Sequence, residues 1–282
     1  MPPEPPKDDR ELPEIAKQLR SYIVTATTKA GSGHPSSSLS MVEVLTVLYF
    51  GGVLRYDPNN PKDPDRDRFI LSKGHGAPGL YAALAEAGYF DVELLLTLRE
   101  LGSPLEGHPN MCRLAGVEAS TGSLGQGLSI GVGHAIAARI DKRDYRVYVM
   151  VGDGEMAEGQ VWEAIMHAGN HGLDNLTVIV DRNRYQQTGA VDDVQPLDPL
   201  PAKFEAFGWH AAEIDGHSLE QVTEALNQAG GVSGKPQAIV ANTIKGKGVA
   251  LLEAKQGGFH GKPIPPEEEA KALQEIGAGG GS

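Results

Sequence analysis

Apolar residues recur every three to four positions from Leu12 onward, at Ile15, Leu19, Tyr22, Ile23 and Ala26, and Gly31 stands where a helix of that phase ends in a left-handed cap. The pattern predicts a helix that delivers the chain into the loop Gly31-Ser32-Gly33-His34-Pro35. A second helical pattern covers about 39–49. After a polar, proline-punctuated stretch at 57–67 comes the short β-like run Phe69-Ile70-Leu71-Ser72, which opens into Lys73-Gly74-His75-Gly76. Helical spacing returns at about 78–87 and 92–101. The second half alternates more plainly. Continuous apolar runs at 146–151 and 176–180 flank a helical stretch at about 160–171, which is the pattern of a βαβ unit. Residues 210–214 read as a strand, Ser218 with Gln221 resembles a capping box for a helix through Ala229, and 237–242 read as a further buried strand. Such alternation predicts an α/β fold, a mostly parallel sheet with helices on both faces, in one domain over 10–276. Residues 1–9 read as a flexible Pro/Asp-rich lead-in and 277–282 as a flexible Gly-rich tail.

Composition narrows the partners. The chain has 282 residues, with 25 basic against 37 acidic side chains and a formal charge of −12, so its surface repels phosphate backbones and anionic lipid. Nucleic acid and membrane are not expected. The single cysteine, Cys112, excludes an internal disulfide framework and fits a reducing cytoplasm, and neither an export signal nor a membrane-length apolar run is present. The 36 glycines and 19 prolines fall between periodic segments, as special turns of a folded domain do.

In a parallel sheet, ligands sit beyond the carboxyl ends of the strands, where loops converge. One predicted strand runs into Gly152-Asp153-Gly154-Glu155 and the next into Asp181-Arg182-Asn183. Asp153 and Asn183 then project into one crevice, an oxygen pair suited to Mg2+ or Ca2+ with room left for substrate oxygens such as a diphosphate. Flanking glycines let backbone N–H groups approach those phosphates. Gly-Asp-Gly by itself also serves as a plain strand-ending turn, and its partner at the next strand end is what favours the metal reading. His34, His75, His108 and His260 each occupy a Gly- or Pro-marked loop, where a scaffold aims an imidazole into a cleft and proton transfer near neutral pH suits it. His167 and His171 have the spacing of a helical metal pair but lack the glutamate of a zinc-protease motif. They are read, with His134, His210 and His217, as surface or packing side chains, and Cys112 as an inert one. Asp65-Arg66-Asp67-Arg68 reads as a solvated loop with a structural ion network. Residues 122–133 are too glycine-rich for a strong isolated helix, each glycine costing about 1 kcal/mol relative to alanine. Close packing has to compensate, against a cofactor ring, a second subunit or a tight internal crossing.

The loops resemble those of thiamine diphosphate enzymes, whose shared motif opens on Gly-Asp-Gly and closes, after a helix and a strand, on Asn. Among these the chain is similar to the transketolases. Lys29-Ala30-Gly31-Ser32-Gly33-His34-Pro35, Asp67-Arg68-Phe69-Ile70-Leu71-Ser72-Lys73-Gly74-His75, Gly107-His108-Pro109, Thr121-Gly122-Ser123-Leu124-Gly125-Gln126-Gly127, Gly152-Asp153-Gly154 with Glu158-Gly159, and Phe259-His260-Gly261-Lys262-Pro263 stand in the family's order. The last of these, with Gln187, resembles the animal-type branch. The resemblance implies that Asp153, Asn183 and the backbone carbonyl of Tyr185 hold Mg2+, which Ca2+ or Mn2+ could replace. It implies that His75, Gly154 and His260, with Glu155 beside them, meet the cofactor diphosphate, and that Gly122, Ser123 and Leu124 line its aminopyrimidine side. His34 and His108 are expected to face the reacting carbon and the substrate's first hydroxyls, Gln187 and Lys262 to lie at the cofactor edge, and Glu158 and Glu163 to be buried where two cofactor sites meet. The catalytic candidates are thus His34, His108, His260 and Glu158.

Transketolase polypeptides continue through a pyrimidine-binding and a C-terminal domain for which this chain offers no candidate. The resemblance therefore implies the N-terminal subunit of a split transketolase, moving a two-carbon ketol unit between sugar phosphates. Activity is expected only with a separately encoded C-terminal subunit, in an α2β2 assembly. Two alternatives stay open, a split relative of other ketose or deoxyxylulose-forming specificity and a subunit that binds the cofactor without turnover.

Overall fold

The computed structural model describes residues 3, 5, 10–255 and 259–278. Helix α1 (Leu12–Ala30) buries the stripe Ile15, Leu19 and Ile23, and ends at Gly31, whose φ of 57° lets its N–H reach back to the carbonyls of Thr27 and Thr28. The single helix expected over 39–49 is two, α2 (Pro35–Leu39) and α3 (Val42–Phe50). Proline starts the first a turn early, and the break between them frees Ser40 Oγ to donate to Asp181 at 2.7 Å. Strand β1 (Arg68–Leu71) and helix α4 (Ala77–Glu86) follow as read. Residues 92–101 do not form an α-helix. A 3-10 turn, Val92–Thr97, buries only Leu95, too little apolar face to sustain an α-helix.

Helix α5 (Gln126–Asp141) leads into the βαβ unit, which is β2 (Val147–Gly152), α6 (Gly159–Asn170) and β3 (Leu176–Arg182). What reads as one long loop then holds a small antiparallel hairpin, β4 (Tyr185–Gln186) with β5 (Gly189–Ala190), and helices α7 (Val191–Val194) and α8 (Leu200–Ala206). The chain continues through β6 (His210–Asp215), α9 (Leu219–Gly231), β7 (Gln237–Asn242), α10 (Ala250–Lys255) and α11 (Pro266–Ala278). Ser218 accepts the Gln221 N–H at 3.2 Å, whereas the Gln221 side chain turns to the Asp215 N–H, so only half of the expected capping box forms. Helix α11 runs through Gly277 and Ala278, two residues into the stretch read as tail. The rest of that tail and, apart from Pro3 and Pro5, the expected lead-in lie outside the described residues.

The five main strands pair in the order β1-β2-β3-β7-β6, every pair parallel. Alternation divides the core between two faces. Tyr148, Met150, Ile179 and Ile239 pack under α1, α3, α4, α9 and α11, while Val147, Val149, Val178 and Val240 pack under α5, α6 and α8. Helices thus cover both faces, as the sequence predicts. No helix among the described residues is long and apolar enough to cross a membrane.

The glycine-rich helix α5 lies directly on the sheet. A Cβ on Gly127 would come 2.7 Å from the Ser72 Cα, and one on Gly131 would come 2.4 Å from Val149 Cγ2, whereas Gly133 faces open space. Internal contact therefore accounts for the first two. Gly127→Ala is expected to destabilise the chain by about 1–3 kcal/mol, whereas Gly133→Ala should be neutral or gain up to about 1 kcal/mol. Urea unfolding of both variants checks the contrast. The ion network at 65–68 forms through Arg66 to Glu118 (2.6 Å) and Arg55 to Asp67 (3.0 Å), but Asp67 and Arg68 are buried in it, with the Arg68 guanidinium over the Tyr145 ring, so the solvated-loop reading is corrected for these two.

Candidate active site

The carboxyl ends of β1, β2 and β3, with the loops that carry the four marked histidines, enclose a cleft of about 580 Å3. Its lining includes His34, His75, His108 and His260, the turn Gly152-Asp153-Gly154-Glu155, and Gly122, Leu124, Glu158, Asn183, Tyr185 and Gln187. Of the residues singled out from the sequence, Ser123, Glu163 and Lys262 do not line it and are exposed. Glu158 is also exposed in this chain, at the rim. The burial expected for Glu158 and Glu163 is therefore not supplied by this chain's own residues.

Asp153 begins where β2 ends and is 3% exposed. Its carboxylate accepts only backbone donors, the Gly154 N–H at 2.8 Å and the Arg184 N–H at 2.5 Å. Burial, and then the like charge of Asp181, push its pKa up to about 7. Asn183, at the end of β3, accepts the Tyr185 N–H on Oδ1 at 3.1 Å and donates from Nδ2 to Asp181 at 3.1 Å. Asp153, Asn183 and Tyr185 thus all line the cleft, offering a carboxylate, an amide oxygen and a backbone carbonyl. All are hard oxygen donors of the kind Mg2+ takes, and a cation there would supply the positive charge that the buried Asp153 lacks. Among the described residues no group of three or more His, Cys, Asp or Glu side chains is gathered for a metal.

Two lysines underpin this floor, and sequence reasoning assigned neither a role. Lys73 is fully buried, pairs with Asp181 and donates to the Ser37 carbonyl at 2.9 Å. Burial works to raise the pKa of Asp181, but the charge of Lys73 and hydrogen bonds from Lys73, Thr243 and Ser40 outweigh it and hold the carboxyl below its usual range. Lys245, also buried, has its Nζ 2.9 Å from His260 Nδ1. A lysine set in a glycine turn just after an apolar run was the available signal for both.

The histidines form the wall. The rings of His34, His75 and His260 stand 5.2–5.5 Å apart, centre to centre. Burial, reinforced by neighbouring rings and by Arg99, lowers His34 to about 4; burial, then Lys245 and Lys73, lowers His260 to about 4; and burial, then Lys73, holds His75 well below its ordinary value. His108 is lowered by burial and Arg99. The wall is therefore neutral near pH 7. Among the described residues His34 Nδ1 is buried without a hydrogen-bond partner. A Cβ on Gly122 would fall 2.8 Å from the His108 ring and one on Gly154 2.8 Å from Gln186, so the backbone comes close at both places only because glycine stands there. Glu155 is occupied internally, its oxygens accepting from Ser72 Oγ, the Gly125 N–H at 2.8 Å and the Gly152 N–H at 3.0 Å. His167 and His171 stack at 4.0 Å on the exposed side of α6, as the surface reading predicts.

The histidine shifts carry a sign. Where the folded pKa lies below the unfolded 6.5, the unfolded chain binds more protons between pH 6.5 and 4. His34 and His260 therefore contribute stability that is complete above pH 6.5 and lost as pH falls toward 4. Their imidazole NMR signals are expected to stay in the neutral position down to about pH 5. His260→Gln should make folding less acid-sensitive in that window, and an unchanged slope would contradict the assignment.

A parallel α/β domain whose strand-end loops converge on one cleft walled by imidazoles has the architecture of the α/β domains that bind a cofactor beyond the carboxyl ends of their strands. The chain belongs to the transketolase family, matching over residues 12–279 the family described as transketolase, thiamine diphosphate binding domain. It is 45% identical over 266 residues to the 6-deoxy-6-sulfo-D-fructose transketolase subunit SqwG of Clostridium sp. (strain MSTE9), a match that covers 94% of this chain and 96% of that protein. It is 41% identical over 261 residues to an apulose-4-phosphate transketolase subunit of Phocaeicola vulgatus, covering 93% of this chain and 92% of that one. The crystal structure of transketolase from Campylobacter jejuni matches with a TM-score of 0.88 at 37% identity, over 94% of this chain and 42% of that one. This chain thus matches two transketolase subunits nearly end to end and less than half of that longer enzyme.

Proposed function

We propose that this chain is the thiamine diphosphate- and Mg2+-binding subunit of a split transketolase, completed by a separately encoded C-terminal subunit in an α2β2 assembly in the cytoplasm. The observation that supports this reading is that Asp153, Asn183 and Tyr185 line the same cleft as the clustered rings of His34, His75 and His260. The near end-to-end likeness to two transketolase subunits supports the need for a partner.

When bound, the cofactor supplies an electron sink for breaking the carbon–carbon bond beside a ketose carbonyl. Asp153, Asn183 and the Tyr185 carbonyl would hold the metal, while Gly154, His75 and His260 would meet the diphosphate and Gly122, Ser123 and Leu124 the aminopyrimidine side. Gln187 and Lys262 would sit at the cofactor edge, and Glu158 and Glu163 would face the partner subunit. His34 and His108, neutral at working pH, would hydrogen-bond the substrate's hydroxyls and steady oxygen charge as it develops. The acceptor and donor are sugar phosphates, and 6-deoxy-6-sulfo-D-fructose and apulose 4-phosphate, the sugars in the names of the two similar subunits, belong in the same test.

Mixing the purified chain with candidate C-terminal subunits and assaying ketol transfer, with and without Mg2+, tests the reading. Transfer is expected only when cofactor, metal and both subunits are present. Tight cofactor uptake with no transfer from any donor would instead mark a binding protein without turnover. In the active mixture, His108→Ala is expected to lower turnover by about 10²-fold while cofactor affinity stays nearly unchanged, and equal loss of both would remove His108 from the substrate's side.

A further inference from the structure

A second cavity, of about 670 Å3, lies away from the cleft among residues of α1, α10, α11 and the turn between β6 and α9. A buried polar chain runs along it. Arg20 of α1, 7% exposed, pairs with Oε1 of Glu43 of α3, 6% exposed. The other carboxylate oxygen is 3.0 Å from His217 Nδ1, and Nε2 of the same ring receives the Ile244 N–H at 2.8 Å. The tautomer follows from these partners. A backbone N–H only donates, so Nε2 is bare, and the proton sits on Nδ1 facing Glu43.

Ile244 belongs to the turn after β7, which carries Lys245 toward the cleft, its Nζ 2.9 Å from His260 Nδ1 and 3.5 Å from the Tyr185 carbonyl. Two more contacts fasten the turn, the Lys247 carbonyl accepting from Arg20 Nε at 3.2 Å and the Gly246 N–H donating to the Ser36 carbonyl at 2.9 Å. A buried Arg–Glu pair by itself seldom adds stability, because both ions surrender their hydration. Here it builds a platform for one imidazole.

We propose that His217 is a positioning residue for the cofactor cleft: in its neutral form it clamps the 243–249 turn through the Ile244 amide and so holds Lys245 against His260, and protonation opens the clamp. The proposal rests on the reading of the cleft as a cofactor site. A protonated imidazole has two N–H donors and no acceptor, so the Ile244 N–H would meet a like donor while the bond to Glu43 persisted. Several charges face the ring from the surrounding elements. Glu43, Asp215, Arg20 and Lys247 line the cavity with it. Lys17, Glu253 and Glu275 line the remainder of the cavity from α1, α10 and α11.

Amide hydrogen exchange of the full chain, followed by NMR at about pH 7.5 and about pH 5, tests the clamp without activity. His217→Leu is expected to lower protection of the Ile244 and Gly246 amides about tenfold and to shift the His260 ring nitrogens, with Val178 and Val240 in the central strands unchanged. His217→Gln offers one donor and one acceptor but does not titrate. It is expected to match the wild type at the higher pH and, unlike the wild type, to keep the turn protected at the lower one. In the assembled enzyme, His217→Leu should weaken thiamine diphosphate uptake about tenfold with turnover at saturating cofactor retained. Unaltered protection of the turn in His217→Leu overturns the proposal. Should that variant lose protection at Val240 as well, the Gln variant decides: acid sensitivity equal to the wild type overturns the clamp, and its loss supports it. If the wild-type assembly takes up no thiamine diphosphate, the functional reading fails while the exchange result still judges the clamp.

Discussion

Asp153→Asn is expected to abolish cofactor uptake by the assembled enzyme while the chain stays folded. The side chain is 3% exposed and, among the described residues, accepts only the N–H groups of Gly154 and Arg184, with no cationic side chain in contact. Burial and the neighbouring Asp181 disfavour its charge, which is the environment a divalent cation would reverse. Asparagine keeps the shape and one acceptor oxygen but removes the charge that draws the ion. Loss of groups that merely orient metal ligands costs about 10–100-fold in metal affinity, so neutralising the carboxylate itself should exceed about a hundredfold. Calorimetric titration of thiamine diphosphate in excess Mg2+ measures this, and circular dichroism verifies the fold. Uptake equal to the wild type would remove Asp153 from the metal site.

The second large effect falls on stability. Lys73→Met is expected to destabilise the chain by about 3–5 kcal/mol, because removing one partner of a buried pair leaves an uncompensated charge. Lys73 and Asp181 are both fully buried, and the lysine adds a bond to the Ser37 carbonyl. Ser40, Thr243 and Asn183 would still donate to Asp181, but they carry no charge. Neutralising both, as Lys73→Met with Asp181→Asn, should recover much of the loss. The double-mutant cycle in urea separates the charge from the packing. Full stability of the single variant would mean that the pair is not ionised as described. Asn183 leans on the same carboxylate, so metal affinity is expected to fall with stability in Lys73→Met.

Much of the architecture is legible in the chain because the forces that set it are local. Parallel strands buried on both faces read as unbroken apolar runs, and β2, β3 and β7 fall where those runs stand. The helix break at Ser40 was not legible, since it serves a carboxylate 141 positions away. Nor was the 3-10 turn at Val92–Thr97, where spacing alone overstates how much apolar surface finds cover. In the site, His34, His75, His108 and His260 from the glycine- and proline-marked loops line one cleft with Asp153, Asn183 and Tyr185. Ser123, Glu163 and Lys262, drawn from the same motifs, fall outside its lining, because a motif names neighbours in sequence and not which of them turn inward.

What this sequence by itself determined is the succession of the five parallel strands with α1, α4, α6 and α9 between or before them, and the residue types placed at the strand ends, for periodicity, turns and donor types depend on residues within a few positions of one another. Tertiary structure alone decided which charges are buried together. Lys73 meets Asp181 across 108 positions and Arg20 meets Glu43 across 23. A charged side chain leaves water only when a distant partner is already in place, and folding is what brings that partner.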